Sequence, residues 1–327
     1  MIGIQSCSRI QRGVSLLNSN LQQDSVMTVT GPIAAEQIGF TLIHEHVFLS
    51  ILADYLDTNR VLDDPDSAYV ELMHYRNSGG VTLVDQTNRG LEQQPSAVRE
   101  IAKKTGLNII LGCGWYREPF YDQSLYRSRT NAIADEMIKD LNQGIDDTGV
   151  RAGLIGELGA HETWVSPVEE RVLRAGARAH LETGVTIATH GLFSPVGLKQ
   201  LDILSEEGVK PNRVIVGHAH DYPYHEYHIE IAKRGAFISF DGMQDENQFL
   251  LQRDLKNIKK IVQAGFIHKL LLSHDVCVNS HYKMNGGFGY NFISSRLYPY
   301  LDEIGLSKEQ FHQIMVENPR NALTGVS

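Results

Sequence analysis

The chain has 327 residues, of which 42% are hydrophobic and 21% charged, and a formal net charge of -9. That composition is ordinary for a globular protein, and the acid excess, with no basic run to track phosphates, argues against a nucleic-acid partner. No apolar stretch reaches the ~18 residues that a membrane span requires.

Residues 1–26 carry Arg9 and Arg12 and no acid before Asp24. They lack both the continuous apolar core of a secretion signal and a clear amphipathic Arg/Ser helix. They are read as a loosely ordered extension, or as the product of a start codon upstream of Met27. The three cysteines, Cys7, Cys113 and Cys277, form no CxxC pair. That fits a reducing compartment, and a cytoplasmic location is expected.

From residue 27 onward the chain reads as one domain. VMTVTGPIAAEQIG suggests a short hairpin capping the bottom of that domain. Eight short apolar runs then alternate with amphipathic stretches. They are FTLIHEH (40–46), VTLVDQT (81–87), LNIILGCGW (107–115), AGLIGELG (152–159), VTIATH (185–190), RVIVGHAH (213–220), AFISFDGM (236–243) and KLLLSHDV (269–276). Near-continuous hydrophobic runs are how strands buried on both faces read.

The stretches between carry helix signals. SPVEE (166–170) and SKEQ (307–310) read as capping boxes, and SPVG (194–197) repeats the Ser-Pro start. Gly106, Gly184, Gly208 and Gly235 close helices. Eight strand–helix units predict a parallel sheet closed as a (β/α)8 TIM barrel. No GxGxxG follows a strand, so a dinucleotide-binding sheet gains no support.

Residues costly to bury fall at one place, the C-terminal strand ends: His44 and His46, Glu157, His190, His218 and His220, His274 and Asp275. In a barrel these ends share one rim, where active sites are built. Taken singly, a histidine is more simply read as packing, and His74, His180, His225, His228, His268 and His312 are assigned that role. Taken together, four histidines and two carboxylates form a ligand set for a pair of divalent ions, with zinc the metal best suited to imidazole. His218 and Asp275 are placed ahead of His220 and His274, whose side chains alternate away on a regular strand.

The ordered set TVTGPI, GFTLIHEH, GVTLVDQT, TGVTIATH, VIVGHAH, LLLSHD, NGGFGY and ENPRNAL resembles the phosphotriesterase family of the amidohydrolase superfamily, over about Val29 to Ala322. The resemblance implies a binuclear centre: His44, His46 and Asp275 on the buried ion, His190 and His218 on the exposed one, with a bridging hydroxide. Most members bridge the ions with a carboxylated lysine in a G-x-I-K stretch. Here GLIG puts Gly156 in that slot, and the chain resembles the branch in which the next residue, Glu157, supplies the carboxylate. A one-residue offset reverses side-chain facing, so a bulge or bend beside Gly156 is expected.

Asp275 is expected to accept the proton of the attacking hydroxide. Tyr116, directly after the third strand, is the expected substrate contact. Loop three (Trp115, Tyr116, Phe120, Tyr121, with Arg117) and loop four (His161, Trp164) read as an aromatic, weakly charged lining. That lining favours a small uncharged ester, hence a broad carboxylesterase with activity toward organophosphonate or phosphotriester analogues. The rivals are a lactonase, acting on phosphorylated sugar lactones among others, and a non-catalytic metal-binding barrel. The resemblance also implies a homodimer.

Overall fold

The apolar runs pair side by side and in parallel. In the computed structural model, which describes residues 24–52 and 56–325, eight strands form one sheet. They are β3 (Thr41–Glu45), β6 (Thr82–Asp85), β7 (Asn108–Cys113), β8 (Leu154–Ala160), β9 (Ile187–Gly191), β10 (Val214–Val216), β11 (Phe237–Phe240) and β12 (Leu270–Leu272), adjacent in that order. Helices connect successive strands, giving the expected (β/α)8 TIM barrel. Among the described residues no helix is long and apolar enough to cross a membrane.

Burial on both faces explains the unbroken hydrophobic runs. Ile43, Val84, Ile110, Leu154, Ala188, Ile215, Phe237 and Leu271, one from each strand, form a cluster distinct from the larger core that includes the helices. Val26, Ile38, and Ala322 and Leu323 of the last helix, Asn318–Thr324, join this cluster. That helix lies against the N-terminal strand ends, where Thr186 Oγ1 donates to the Ala322 carbonyl at 2.6 Å. The expected hairpin is present: β1 (Ser25–Thr28) pairs antiparallel with β2 (Gly31–Ala34). The extension read for residues 1–26 lies outside the described residues as far as Gln23, and Ser25 and Val26 already belong to β1.

Local signals placed most helix ends. Ser166 and Glu169 make a reciprocal box at Pro167–Thr183, and Ser307 and Gln310 another at Lys308–His312. Gly106, Gly184 and Gly235 are left-handed C-caps. The second Ser-Pro start is corrected: helix Val196–Glu206 has Pro195, not Ser194, at its N-cap. Strands β10 and β12 also stop early, because His218 (φ 51°) and Asp275 (φ 55°) adopt left-handed backbone past the strand ends. A ribbon not foreseen from sequence, β4 (Leu49–Ser50) with β5 (Val61–Leu62), folds the first loop back on itself.

The barrel closes between β3 and the segment after β12 without a regular ladder. His44 N–H donates to Ser273 Oγ (3.0 Å) and Asp275 N–H to the His44 carbonyl (3.2 Å). The fully buried Glu45 carboxylate completes the seam. Its Oε1 accepts from Ser273 Oγ (2.8 Å), His274 N (2.9 Å) and His274 Nδ1 (2.8 Å), and its Oε2 from Val276 N (2.9 Å).

Glu45→Ala would leave those buried donors without an acceptor. Each orphan costs about 1–3 kcal/mol, so urea unfolding should show a loss of at least ~3 kcal/mol. Glu45→Gln, which keeps one acceptor oxygen, should lose markedly less; equal losses would show that the seam does not depend on these bonds.

Candidate metal centre

Strand β8 carries the group that organises the site. Its register against β9 shifts between Ile155 and Leu158, and Gly156 sits at φ 134°, a conformation closed to residues with a Cβ. A Cβ at Gly156 would collide with the Ala188 carbonyl oxygen, so no side chain fits there. The Gly156–Glu157 peptide is cis. The irregularity expected beside Gly156 is therefore present, and Glu157 points into the barrel mouth, 2% exposed, with its backbone oxygen held by Asn88 Nδ2 at 2.7 Å.

Four imidazoles surround Glu157. From Oε2, His44 Nε2 is at 3.4 Å, His190 Nδ1 at 3.5 Å and His218 Nε2 at 3.7 Å; His46 Nε2 is 3.7 Å from Oε1. Asp275 Oδ1 lies 3.1 Å from His46 Nε2 and 3.9 Å from His44 Nε2. Most of these separations are long for hydrogen bonds. They match two ligands on one zinc: bonds of 2.0–2.2 Å at a tetrahedral angle separate the donors by about 3.4 Å. His44 Nε2, His190 Nδ1 and Glu157 Oε2 are buried with no hydrogen-bond partner. The donors fit a metal better than they fit one another.

The far nitrogens of the rings are held in place. Asp241, fully buried, takes His44 Nδ1 at 2.9 Å and His218 Nδ1 at 3.0 Å, and accepts from the His218 backbone N–H at 3.1 Å. Thr87 Oγ1 lies 2.9 Å from His46 Nδ1. His190 is turned the other way: its Nε2 is 3.3 Å from the Tyr116 hydroxyl, with the two rings 4.8 Å apart. Such partners fix tautomer and aim, and leave the facing nitrogen free to ligate.

The protein field demands positive charge here. Burial disfavours a charged His44, but the Glu157 and Asp241 carboxylates outweigh it and raise its pKa to about 10. His218 is likewise raised well above its usual value, burial being overcome chiefly by Asp241. His190 goes the other way, pulled down by burial to about 3, with Glu157 offsetting only part. Glu157 and Asp275 are held below the usual carboxylate range, because the neighbouring imidazoles outweigh their burial.

All six residues expected as ligands, His44, His46, Glu157, His190, His218 and Asp275, thus meet in one place. His274 does not join them: Nδ1 bonds Glu45 and Nε2 accepts from Ile293 N at 3.0 Å, so it belongs to the seam. His220 stands behind Asp241, its Nδ1 3.2 Å from that carboxylate and its Nε2 3.4 Å from Asp221. Asp241 and Glu45 were missed. Asp241 ends the seventh run, FISFDG, at the same rim position as the other costly residues.

A cavity of about 120 Å³ opens onto the centre. Its wall corrects the expected lining. Leu49, Ile51, Leu91 and Leu192 are its aliphatic lining, Tyr116 is the one loop-three aromatic in it, and Arg60 joins Arg117. Trp115 instead packs under Arg89, and Trp164 is 55% exposed. Arg60 escaped notice because the β4–β5 ribbon that brings it inward has no sequence period.

The sequence profile of the phosphotriesterase family matches residues 24–323. The chain belongs to that family. Phosphotriesterase homology protein of Escherichia coli (strain K12) is 30% identical over 86% of this chain and 96% of its own. A crystal structure of the Escherichia coli phosphotriesterase homology protein with phosphate in its active site aligns with a TM-score of 0.85 at 29% identity, covering 88% of this chain and 99% of that one. N-acetyltaurine hydrolase of Dictyostelium discoideum is 26% identical over 91% of this chain and 97% of its own. The lactonase Lmo2620 of Listeria monocytogenes aligns with a TM-score of 0.85 at 25% identity, over 93% and 100% of the two chains.

In this family member an ion must displace protons from His44 and His218. Both are raised in pKa, His44 to about 10, so metal binding at pH 7 is expected to release protons and metal affinity should climb as pH rises. Calorimetry in buffers of different ionisation enthalpy should register net proton release; uptake, or no exchange, would contradict this charge assignment. Asp241→Asn should weaken metal binding by about 10–100-fold against a competing chelator, because both Nδ1 atoms lose their anionic partner.

Proposed function

We propose that the chain is a metal-dependent hydrolase of small acyl compounds that cleaves ester bonds at two divalent ions, zinc by the donor set. One observation carries the reading: Glu157 belongs to two separate three-donor clusters, His44–His46–Glu157 and Glu157–His190–His218. A carboxylate common to two clusters is the arrangement that can bridge two ions. In this reading His44, His46 and Asp275 hold one, and His190 and His218 the other. Such a pair of ions, when bound, lowers the pKa of water from 15.7 toward about 7 and polarises a carbonyl.

The chain's own groups divide the remaining work. Asp275 is the most open of the carboxylates, its side chain 24% exposed, and faces the cavity. It is placed to take a proton from the nucleophile and release it toward the leaving group. Tyr116 holds His190 from behind and walls the cavity beside it. The aliphatic wall excludes water around a short acyl chain.

A second reading concerns substrate charge. Arg117 is fixed with its guanidinium 5.0 Å from the Tyr116 and Phe120 ring centres, and Arg60 shares the cavity wall. Two cations beside the scissile position suit a substrate with an anionic end, such as an acylated aminosulfonate amide or a phosphorylated lactone.

Metal analysis after zinc loading should give two ions per chain, and Glu157→Gln should lose at least one together with most turnover. Two ions and full activity in that variant would refute the bridge. Asp275→Asn should lower kcat on an aryl acetate by about 10²–10⁴-fold. Arg60→Gln separates the two readings: a KM rise for N-acetyltaurine or a phospholactone far above that for aryl acetate supports the anionic substrate, and equal changes oppose it.

A further inference from the structure

A second cavity, of about 100 Å³, lies at the opposite end of the barrel from the candidate metal centre. Its wall comes from segments leading into three successive strands: Arg151 before β8, Gly184 before β9 and Arg213 before β10. The hairpin adds Met27 and the last helix Leu323. The volume is about three times a water's share of the liquid, enough for a small polyatomic ion and too little for a nucleotide.

Arg151 and Arg213 line this space, and each has hydrogen-bonding capacity left over. Arg213 donates Nη2 to the Gly184 carbonyl at 2.6 Å, while its Nη1 is buried against Gly325 with no acceptor. Arg151 directs Nη2 at the Met27 sulfur, 3.3 Å away, a weak acceptor. Among the described residues no carboxylate pairs with either, and burial alone pulls Arg213 down to about 10. A largely buried arginine without a counter-charge costs free energy, and two arginines lining one small cavity supply the kind of donor that suits an oxyanion.

We propose that Arg151 and Arg213 form an anion site on the barrel floor that takes a small tetrahedral oxyanion, sulfate or inorganic phosphate. Bound there, the ion would tie the hairpin, the floor loops and the terminal helix together, and it would stabilise the fold by mass action without touching the catalytic end.

Thermal melting of the full, zinc-loaded chain, titrated with sodium sulfate against sodium chloride at fixed ionic strength, tests this. The melting temperature should rise and saturate with sulfate. Arg213→Gln and Arg151→Gln should each weaken the apparent sulfate affinity about tenfold, as for one lost charge-assisted bond, with zinc content unchanged. An equal rise in both variants would place the ion at the metal centre or on the general surface and overturn the site. So would a wild-type chain that sulfate stabilises no more than chloride. If Arg213→Gln does not fold, the Arg151 variant and Arg213→Lys, which keeps the charge without the fork and should bind with intermediate affinity, carry the comparison.

Discussion

Negative charge buried where water cannot reach it governs this molecule. Glu157 and Asp241 are almost completely removed from solvent, and Asp275 sits beside them at the cavity floor. A carboxylate in that position is tolerable only with positive charge close by. The imidazoles can supply it as protons, as the raised His44 and His218 show, but protons satisfy the geometry badly: Glu157 Oε2 stays 3.4–3.7 Å from its nearest ring nitrogens. A bound divalent metal would satisfy both demands.

The seam of the barrel and the centre are one construction. In the run His44-Glu45-His46, two rings turn to the mouth while the carboxylate between them turns to the closing segment. Glu45 binds Ser273, His274 and Val276, the residues on either side of Asp275, and so fixes the backbone that presents Asp275 to His46. A change that loosens the seam must therefore move Asp275, which lies 3.1 Å from His46 Nε2 and 3.9 Å from His44 Nε2. Stability is tied to the geometry of the cluster at this point.

The legibility of the molecule depended on which features repeat. The strands announced themselves because burial on both faces removes polar residues, so the exceptions at the strand ends stood out. That was enough to find His44, His46, Glu157, His190, His218 and Asp275. The facing argument that ranked His218 over His220 assumed regular strands, yet both His218 and Asp275 lie past the strand ends in left-handed backbone. His218 joins the cluster and His274 does not for a different reason: Asp241 claims the Nδ1 side of His218, and Glu45 claims His274. Neither partnership has a sequence signature, since each joins residues more than twenty positions apart through a single carboxylate. The lining was least legible of all. Its aromatics were counted by proximity in sequence, and packing took Trp115 away while the short ribbon brought Arg60 in.

The mouth itself has a polarity that constrains how a substrate can lie. The cavity with Arg60 and Arg117 meets a second lobe of about 200 Å³ that carries His220, Asp221, Gln244 and His281, and the two share Leu192, His218 and Asp275. A scissile group at the shared residues then has cations on one side and a carboxylate on the other. An asymmetric molecule with an anionic end is oriented by that field before any close contact forms. Leu192, His218 and Asp275, shared by both lobes, thus have chemically different surroundings on their two sides.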